Sequence, residues 1–233
     1  MIMQPRQLLF TALSALMIIV TSCKPKAPVD ETKQKNHQDT HKIEITFTPG
    51  MMEGNKFIPS NEASATIIAS QASGWRQDKV ITVRTDTPYF VQVKHYSKSG
   101  QPINREYATN GEDRIHQHFF MPKIKNSELK ATDIIDYKYL DTDPWDAPIS
   151  TDAKVIGKEN PIGLKGTMTF KVPTEHLQIR LRLLHARGSK WSSEGKVSPF
   201  YQPSIWTANG QYDLDYTFEV NVVSKKITTN YEI

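Results

Sequence analysis

From Lys42 onward, apolar residues alternate with polar ones over short runs and rarely recur at helical spacing. In the run 211–223, Tyr212, Leu214, Tyr216, Phe218, Val220 and Val222 share one face, while Gln211, Asp213, Asp215, Thr217, Glu219 and Asn221 take the other. The run 177–185 sets Leu177, Ile179, Leu181 and Leu183 against Arg180 and Arg182. The run 164–171 sets Leu164, Gly166, Met168 and Phe170 against Lys165, Thr167, Thr169 and Lys171. Two-faced strands of this kind belong to antiparallel sheets with one face on a core and the other in water. Further strands are expected at 43–48, 65–69, 79–84, 89–96, 114–121 and 134–140, separated by Pro, Gly, Asn and Ser turn signals. Nine strands without an internal repeat predict an all-β chain, a single antiparallel, immunoglobulin-like β-sandwich over 42–233. The connections 97–113, 141–163 and 187–210 exceed hairpin length and are the expected carriers of function.

The N-terminus follows a different pattern. A charge at Arg6 precedes an apolar stretch from Leu8 to Val20, and the small pair Thr21 and Ser22 stands directly before Cys23. The stretch is shorter than the roughly 18 to 20 residues that span a bilayer. Residues 1–22 therefore read as a lipoprotein signal peptide, with cleavage leaving Cys23 as a diacylated, palmitate-bearing N-terminus. Acyl chains contribute about 0.8 kcal/mol per buried methylene, so the mature chain is expected to sit on a lipid bilayer without crossing it. Lys24 follows the cysteine, which favours the outer membrane over retention at the inner one, with the leaflet open. Residues 23–41, the lipidated cysteine and a Pro-, Lys- and Gln-rich segment without aromatics, read as a flexible tether, on which His37 and His41 could touch a metal but are expected to be solvated.

Composition narrows the chemistry. The chain has 233 residues, 29 Lys plus Arg against 25 Asp plus Glu, and its basic residues are scattered, so nucleic acid is not an expected partner. Its single cysteine excludes an internal disulfide and multi-cysteine metal sites. His116 and His118 lie two apart on an expected strand and so face the same way, with backbones roughly 6 to 7 Å apart, close enough to share one metal ion. His185 ends the apolar face of its own strand. If the two strands are neighbours, His116, His118 and His185 make a three-histidine site for zinc or another transition metal, with Glu112, Asp113, His95 and Asp213 as further candidate ligands. The alternative is that these are core and strand histidines without a metal.

Other motifs carry less. The histidine pair follows Gly111 as in cupins, but no Glu comes until Glu128 and the second cupin motif is missing. Asp141, Asp143 and Asp146 offer calcium oxygens, yet Asp146 stands where an EF-hand needs Gly and Asp152 where it needs Glu. Trp145, together with Trp191, Tyr201 and Trp206 of the loop 189–210, is either a lid on the core or a platform for sugars or a flat ligand such as haem. No nucleophile with a triad partner, phosphate-binding glycine loop or paired-carboxylate motif is recognisable, so the chain is not expected to be an enzyme.

The segments Glu112 to Phe120, Tyr139 to Asp143, Pro161 to Leu164, Leu183 to His185 and Asp213 to Val222 occur in an order that resembles a group of uncharacterised Bacteroidota-type lipoproteins labelled "type 1 periplasmic binding fold superfamily protein". The resemblance implies a surface lipoprotein in which His116 and His185 recur, working beside a TonB-dependent outer-membrane transporter. It brings no activity to transfer. The label implies a two-lobed α/β fold, whereas the strand periodicity implies a sandwich. Together these readings lead to an expected membrane-anchored, non-enzymatic module that binds a metal ion or a metal-containing ligand such as haem, with a glycan-binding or structural module as the alternative.

Overall fold

A computed structural model describes residues 35–208 and 210–225; the expected signal peptide, Cys23 and the first part of the expected tether lie outside the described residues. All nine expected strands form. In chain order the strands are β1 (Lys42–Glu53), β2 (Lys56–Pro59), β3 (Ala65–Ser70), β4 (Ile81–Arg84), β5 (Pro88–Tyr96), β6 (His116–Lys123), β7 (Ile135–Tyr139), β8 (Thr142–Asp143), β9 (Lys154–Val155), β10 (Lys165–Phe170), β11 (Thr174–His185) and β12 (Gln211–Val223). The short β2, β8 and β9 lack the alternation that reveals a strand in sequence. Two brief helices, α1 (Asn104–Ala108) and α2 (Ala131–Ile134), sit in connections.

Among the described residues the strands form two large sheets, and β8 and β9 pair as a separate two-stranded ribbon. One large sheet runs β2-β1-β5-β10-β7, with β3 also paired to β1, and the other runs β4-β12-β11-β6. Their apolar faces meet in one core, where Phe47 of β1 lies against Phe218 of β12 with ring centroids 6.3 Å apart, and Phe120 of β6 against Tyr137 of β7 at 4.3 Å. Leu177, Ile179, Leu181 and Leu183 are all buried, as their alternation requires, and each contributes about 1.5–3 kcal/mol. The architecture is an all-β sandwich, as the periodicity implies, and not the α/β arrangement of the family label.

The structure corrects the sequence reading at four places. β4 lies parallel to β12; the two are far apart in the chain, so no hairpin forces them antiparallel. β10 is buried on both faces: Lys165, expected in water, is covered by the connection 141–163, and its Nζ donates to Thr142 Oγ1 (2.7 Å) and Ala147 O (2.6 Å).

The third correction is a register shift between Leu183 and Leu184, where Leu183 pairs with Leu214 but Leu184 with Tyr212. Asp213 is the extra residue, a β-bulge that reverses the facing of its strand end. Tyr212, expected inside, is exposed, and Asp213, expected in water, has a side chain only 1% exposed. Finally, the tether does not extend to residue 41. The compact unit starts at Asn36, and His37 and Thr40 are buried.

One end of the sandwich gathers chemistry because of chain direction. β1 starts there at Lys42, β5 ends at Tyr96, β6 starts at His116, β11 ends at His185 and β12 starts at Gln211. His95, His116, His118, His185 and Asp213 belong to these strand ends, and His37 to the segment that leads into β1.

Candidate metal centre

β6 and β11 are antiparallel neighbours with His116 directly opposite His185. This fulfils the adjacency that a shared site needs. The bulge on β12 brings Asp213 to the same point, where its Oδ2 lies 3.1 Å from His116 Nε2 and 3.2 Å from His185 Nδ1. The third imidazole is His37. Its Nε2 is 3.2 Å from Asp213 Oδ2 and 3.2 Å from His185 Nδ1.

His118 is not part of this group, contrary to the expected triad. Although it shares a face with His116, it points across the core to β5, where its Nε2 meets His95 Nε2 at 2.9 Å. His95, a candidate fourth ligand, is therefore occupied by this pair and by Thr40 Oγ1, 2.9 Å from its Nδ1. Asp113 accepts a hydrogen bond from Asn160 Nδ2 (2.7 Å). Glu112 does lie beside the centre: His37, Glu112, His116 and His185 each place one ligand atom within 4.8 Å of the others.

Proton positions follow from the partners. A carbonyl can only accept, so His116 Nδ1, 2.8 Å from Glu112 O, carries its ring proton. By the same argument His37 Nδ1 donates to Gln38 O (3.1 Å) and His118 Nδ1 to Ile162 O (2.8 Å). In the neutral rings, the Nε2 atoms of His37 and His116 then present bare lone pairs to the oxygen of a carboxylate, which is also an acceptor. His185 Nδ1 can supply one proton to this group of acceptors. The remaining contacts require a cation, either a further proton or a metal.

The spacing fits a metal. Four of the separations among His37 Nε2, His116 Nε2, His185 Nδ1 and Asp213 Oδ2 fall at 3.1–3.2 Å. A regular tetrahedron of that edge has its centre about 2.0 Å from each vertex, the ordinary Zn–N distance. The carbonyls that receive the opposite ring protons fix the tautomers, as the outer partners of metal-bound histidines do.

Electrostatics favour an uncharged ring at His116 and in the neighbouring His95–His118 pair. Burial pulls the His116 imidazole below its ordinary value, with the Asp213 bond opposing it, and burial holds His118 near 4. Burial also depresses His95, with neighbouring His118 adding to the effect. At His37, burial pulls down but the bond to Asp213 and its charge outweigh it, so that ring is raised. Glu112 Oε1 accepts from Asn36 Nδ2 (3.1 Å), whereas its Oε2 is buried without a hydrogen-bond partner, 3.6 Å from His116 Nδ1.

Two residues that sequence reasoning missed support the centre. His37 gave no periodic signal because it lies outside a strand. Lys190 is fully buried, and its Nζ donates to His116 O (3.0 Å) and Pro161 O (2.7 Å), tying the start of β6 to the connection beneath it. Burial lowers this amine from 10.5 to about 7. Between those values the unfolded chain binds a proton that the folded chain lacks, so stability rises with pH across the window. In Lys190→Met that slope is expected to flatten between about pH 7 and 9. Urea midpoints at the two ends of the range measure it, and an unchanged slope contradicts the assignment.

The remaining candidates fall elsewhere. Asp141 does not join Asp143 and Asp146 around a calcium position; its carboxylate is buried and accepts the backbone N–H groups of Ile162, Gly163, Leu164 and Lys165. Trp191 and Trp206 donate their indole N–H groups to Glu159 O and Lys190 O, and Tyr201 packs on Phe200. Trp145 lines a cavity of about 480 Å³ with Asp113 and Asn160. No family model, curated protein or solved structure matches this chain.

Proposed function

We propose that this protein is a non-enzymatic metal-binding lipoprotein that holds one divalent transition ion, zinc first among them, between His37, His116, His185 and Asp213. The observation that carries this reading is the convergence of three imidazole nitrogens and a carboxylate oxygen at 3.1–3.2 Å in a buried position, where one cation serves all of them. Three imidazoles and a carboxylate suit zinc and its neighbours in the first transition row. Four protein donors fill a tetrahedral shell and leave no open position for a substrate, which supports binding over catalysis.

A bare ion fits this closed shell better than haem, whose macrocycle needs more room than converging donors leave. The anchor through Cys23, the outer-membrane location and cooperation with a TonB-dependent transporter belong to the same reading, in which the module stores an ion for delivery. A glycan-binding role for Trp145, Trp191, Tyr201 and Trp206 has less support, because two of the indoles are tied to backbone carbonyls and Tyr201 packs on the core.

The test is elemental analysis and calorimetric titration of residues 24–233, purified without a tag or chelator. About one zinc per chain is expected, with cobalt giving the intense visible bands of a tetrahedral site. A chain that takes up neither zinc, cobalt nor copper overturns the reading.

A further inference from the structure

His37 differs from the other three donors in what holds it. His116, His185 and Asp213 stand on adjacent strands of one sheet, the histidines in facing ladder positions and Asp213 at the bulge between paired neighbours. His37 lies on 36–41, whose backbone bonds to the sheet are made at His41, with its N–H reaching Tyr96 O (2.8 Å) and its O accepting Gln71 N–H (2.9 Å). Upstream, most of its attachments run through side chains. Asn36 Nδ2 donates to Glu112 Oε1 (3.1 Å), and Gln38 gives its backbone N–H and its Nε2 to the two Glu106 oxygens. Tyr107 OH donates to Gln38 O (3.3 Å), and the Thr40 hydroxyl bonds both His95 Nδ1 and Tyr107 OH at 2.9 Å.

Beneath this segment is a way in. Asn36 forms one wall of a cavity of about 410 Å³ whose other lining residues are Arg105, Glu106, Thr109, Asn110 and Glu112. Glu112 turns a buried oxygen without a hydrogen-bond partner toward His116. Asn36 and Glu112 line this cavity, so lifting residues 36–38 would open it toward the centre and withdraw one imidazole.

Seating and ion binding are energetically linked. The seated His37 Nε2 stands 3.2 Å from Asp213 Oδ2, and with an ion between them the same atom completes the shell. A ligand that favours the closed state shifts the segment toward it, and closure in turn tightens the ligand.

We propose that residues 36–41 are a strap that closes over the bound ion, with His37 as a withdrawable donor and Glu112 as the carboxylate the ion meets on its way in and out. This rests on the metal-binding reading above. With the strap lifted, His116, His185 and Asp213 retain the ion with one position open. An acceptor offering imidazole or carboxylate donors can then take it by ligand exchange, with no redox step.

Hydrogen exchange on the full mature chain with and without zinc tests the strap, with calorimetry on the same samples reporting zinc bound. Zinc is expected to slow the amides of 37–41 at least about tenfold in the wild type. It should leave them unprotected in His37→Ala, which still binds zinc, more weakly. In Glu106→Ala, which loses the Gln38 latch but no donor, zinc release to a chelator is expected to quicken about tenfold.

Full zinc occupancy with unchanged exchange at 37–41, or equal protection in His37→Ala, overturns the strap while leaving the metal centre intact. A wild-type chain that binds no zinc removes both.

Discussion

Replacing Asp213 by asparagine is expected to weaken zinc binding by about a hundredfold to a thousandfold, roughly 3–4 kcal/mol. The carboxylate contributes the one oxygen that three imidazole nitrogens face at 3.1–3.2 Å, and the neutral amide is a poor ligand in its place. The same substitution should also cost the metal-free chain. Asp213 raises the His37 imidazole through its bond and its charge, and a neutral amide gives up that interaction. The metal-free variant is therefore expected to lose about 1 kcal/mol of stability, and to lose as well the added stability that zinc at a hundred times its Kd gives the wild type, about 2.7 kcal/mol. Thermal unfolding with and without zinc reads both effects. A variant that keeps wild-type zinc affinity places the ion elsewhere.

The largest effect on stability is expected from Asp141→Ala, about 3–5 kcal/mol, or roughly 10 °C in Tm for a domain of this size. Its two oxygens accept four backbone N–H groups, at 2.9 Å from Ile162, 2.8 Å from Gly163, 3.0 Å from Leu164 and 3.3 Å from Lys165. Truncation leaves those donors buried and unsatisfied and removes a carboxylate whose charge favours the protonated amine of Lys190. Burial raises the Asp141 carboxyl, while the N–H groups of Gly163 and Ile162 pull it back down.

The consequences extend to the metal centre. The turn that Asp141 organises presents Ile162 O to both the backbone N–H and the Nδ1 of His118, and Pro161 O to Lys190. Gly163 adopts φ +82° there, and a Cβ on it would lie 2.8 Å from His118 Cβ. Asp141→Asn keeps the volume and one acceptor oxygen, so about half the loss is expected. Unfolding of the metal-free chain in denaturant measures both variants, and a cost below about 1 kcal/mol for alanine contradicts the role assigned to Asp141.

Much of the sandwich is legible in the sequence. Residues with strict alternation, such as Leu177 to Leu183 and Leu214 to Val222, fix both strand identity and facing, because the strand period of two leaves each side chain only one face. Where alternation fails, so does legibility. Lys165 and Thr167 follow the polar phase of β10 yet are buried, and over Lys165 the cover is the connection 141–163 folding back on the strand it leads into. Asp213 is likewise polar in phase but faces inward, because one unpaired residue in the ladder reverses the facing of the strand end. No local pattern encodes that bulge; it follows from how β11 and β12 meet.

The histidines divide along the same line. The sequence alone places His116 and His118 on one strand face and His185 at the end of an apolar face, since these are consequences of local backbone geometry. It also marks Cys23 and the apolar stretch before it, which are linear signals. Which imidazoles meet is decided only by the tertiary structure. Strand order makes His116 and His185 neighbours, the opposed sheet draws His118 to His95, and the bulge turns Asp213 inward. His37 joins the group because the chain ahead of β1 folds onto the end of the sandwich where its partners lie. Facing along a strand is set by each residue's own backbone, whereas convergence depends on distant segments packing together, a long-range property that no single stretch of sequence carries.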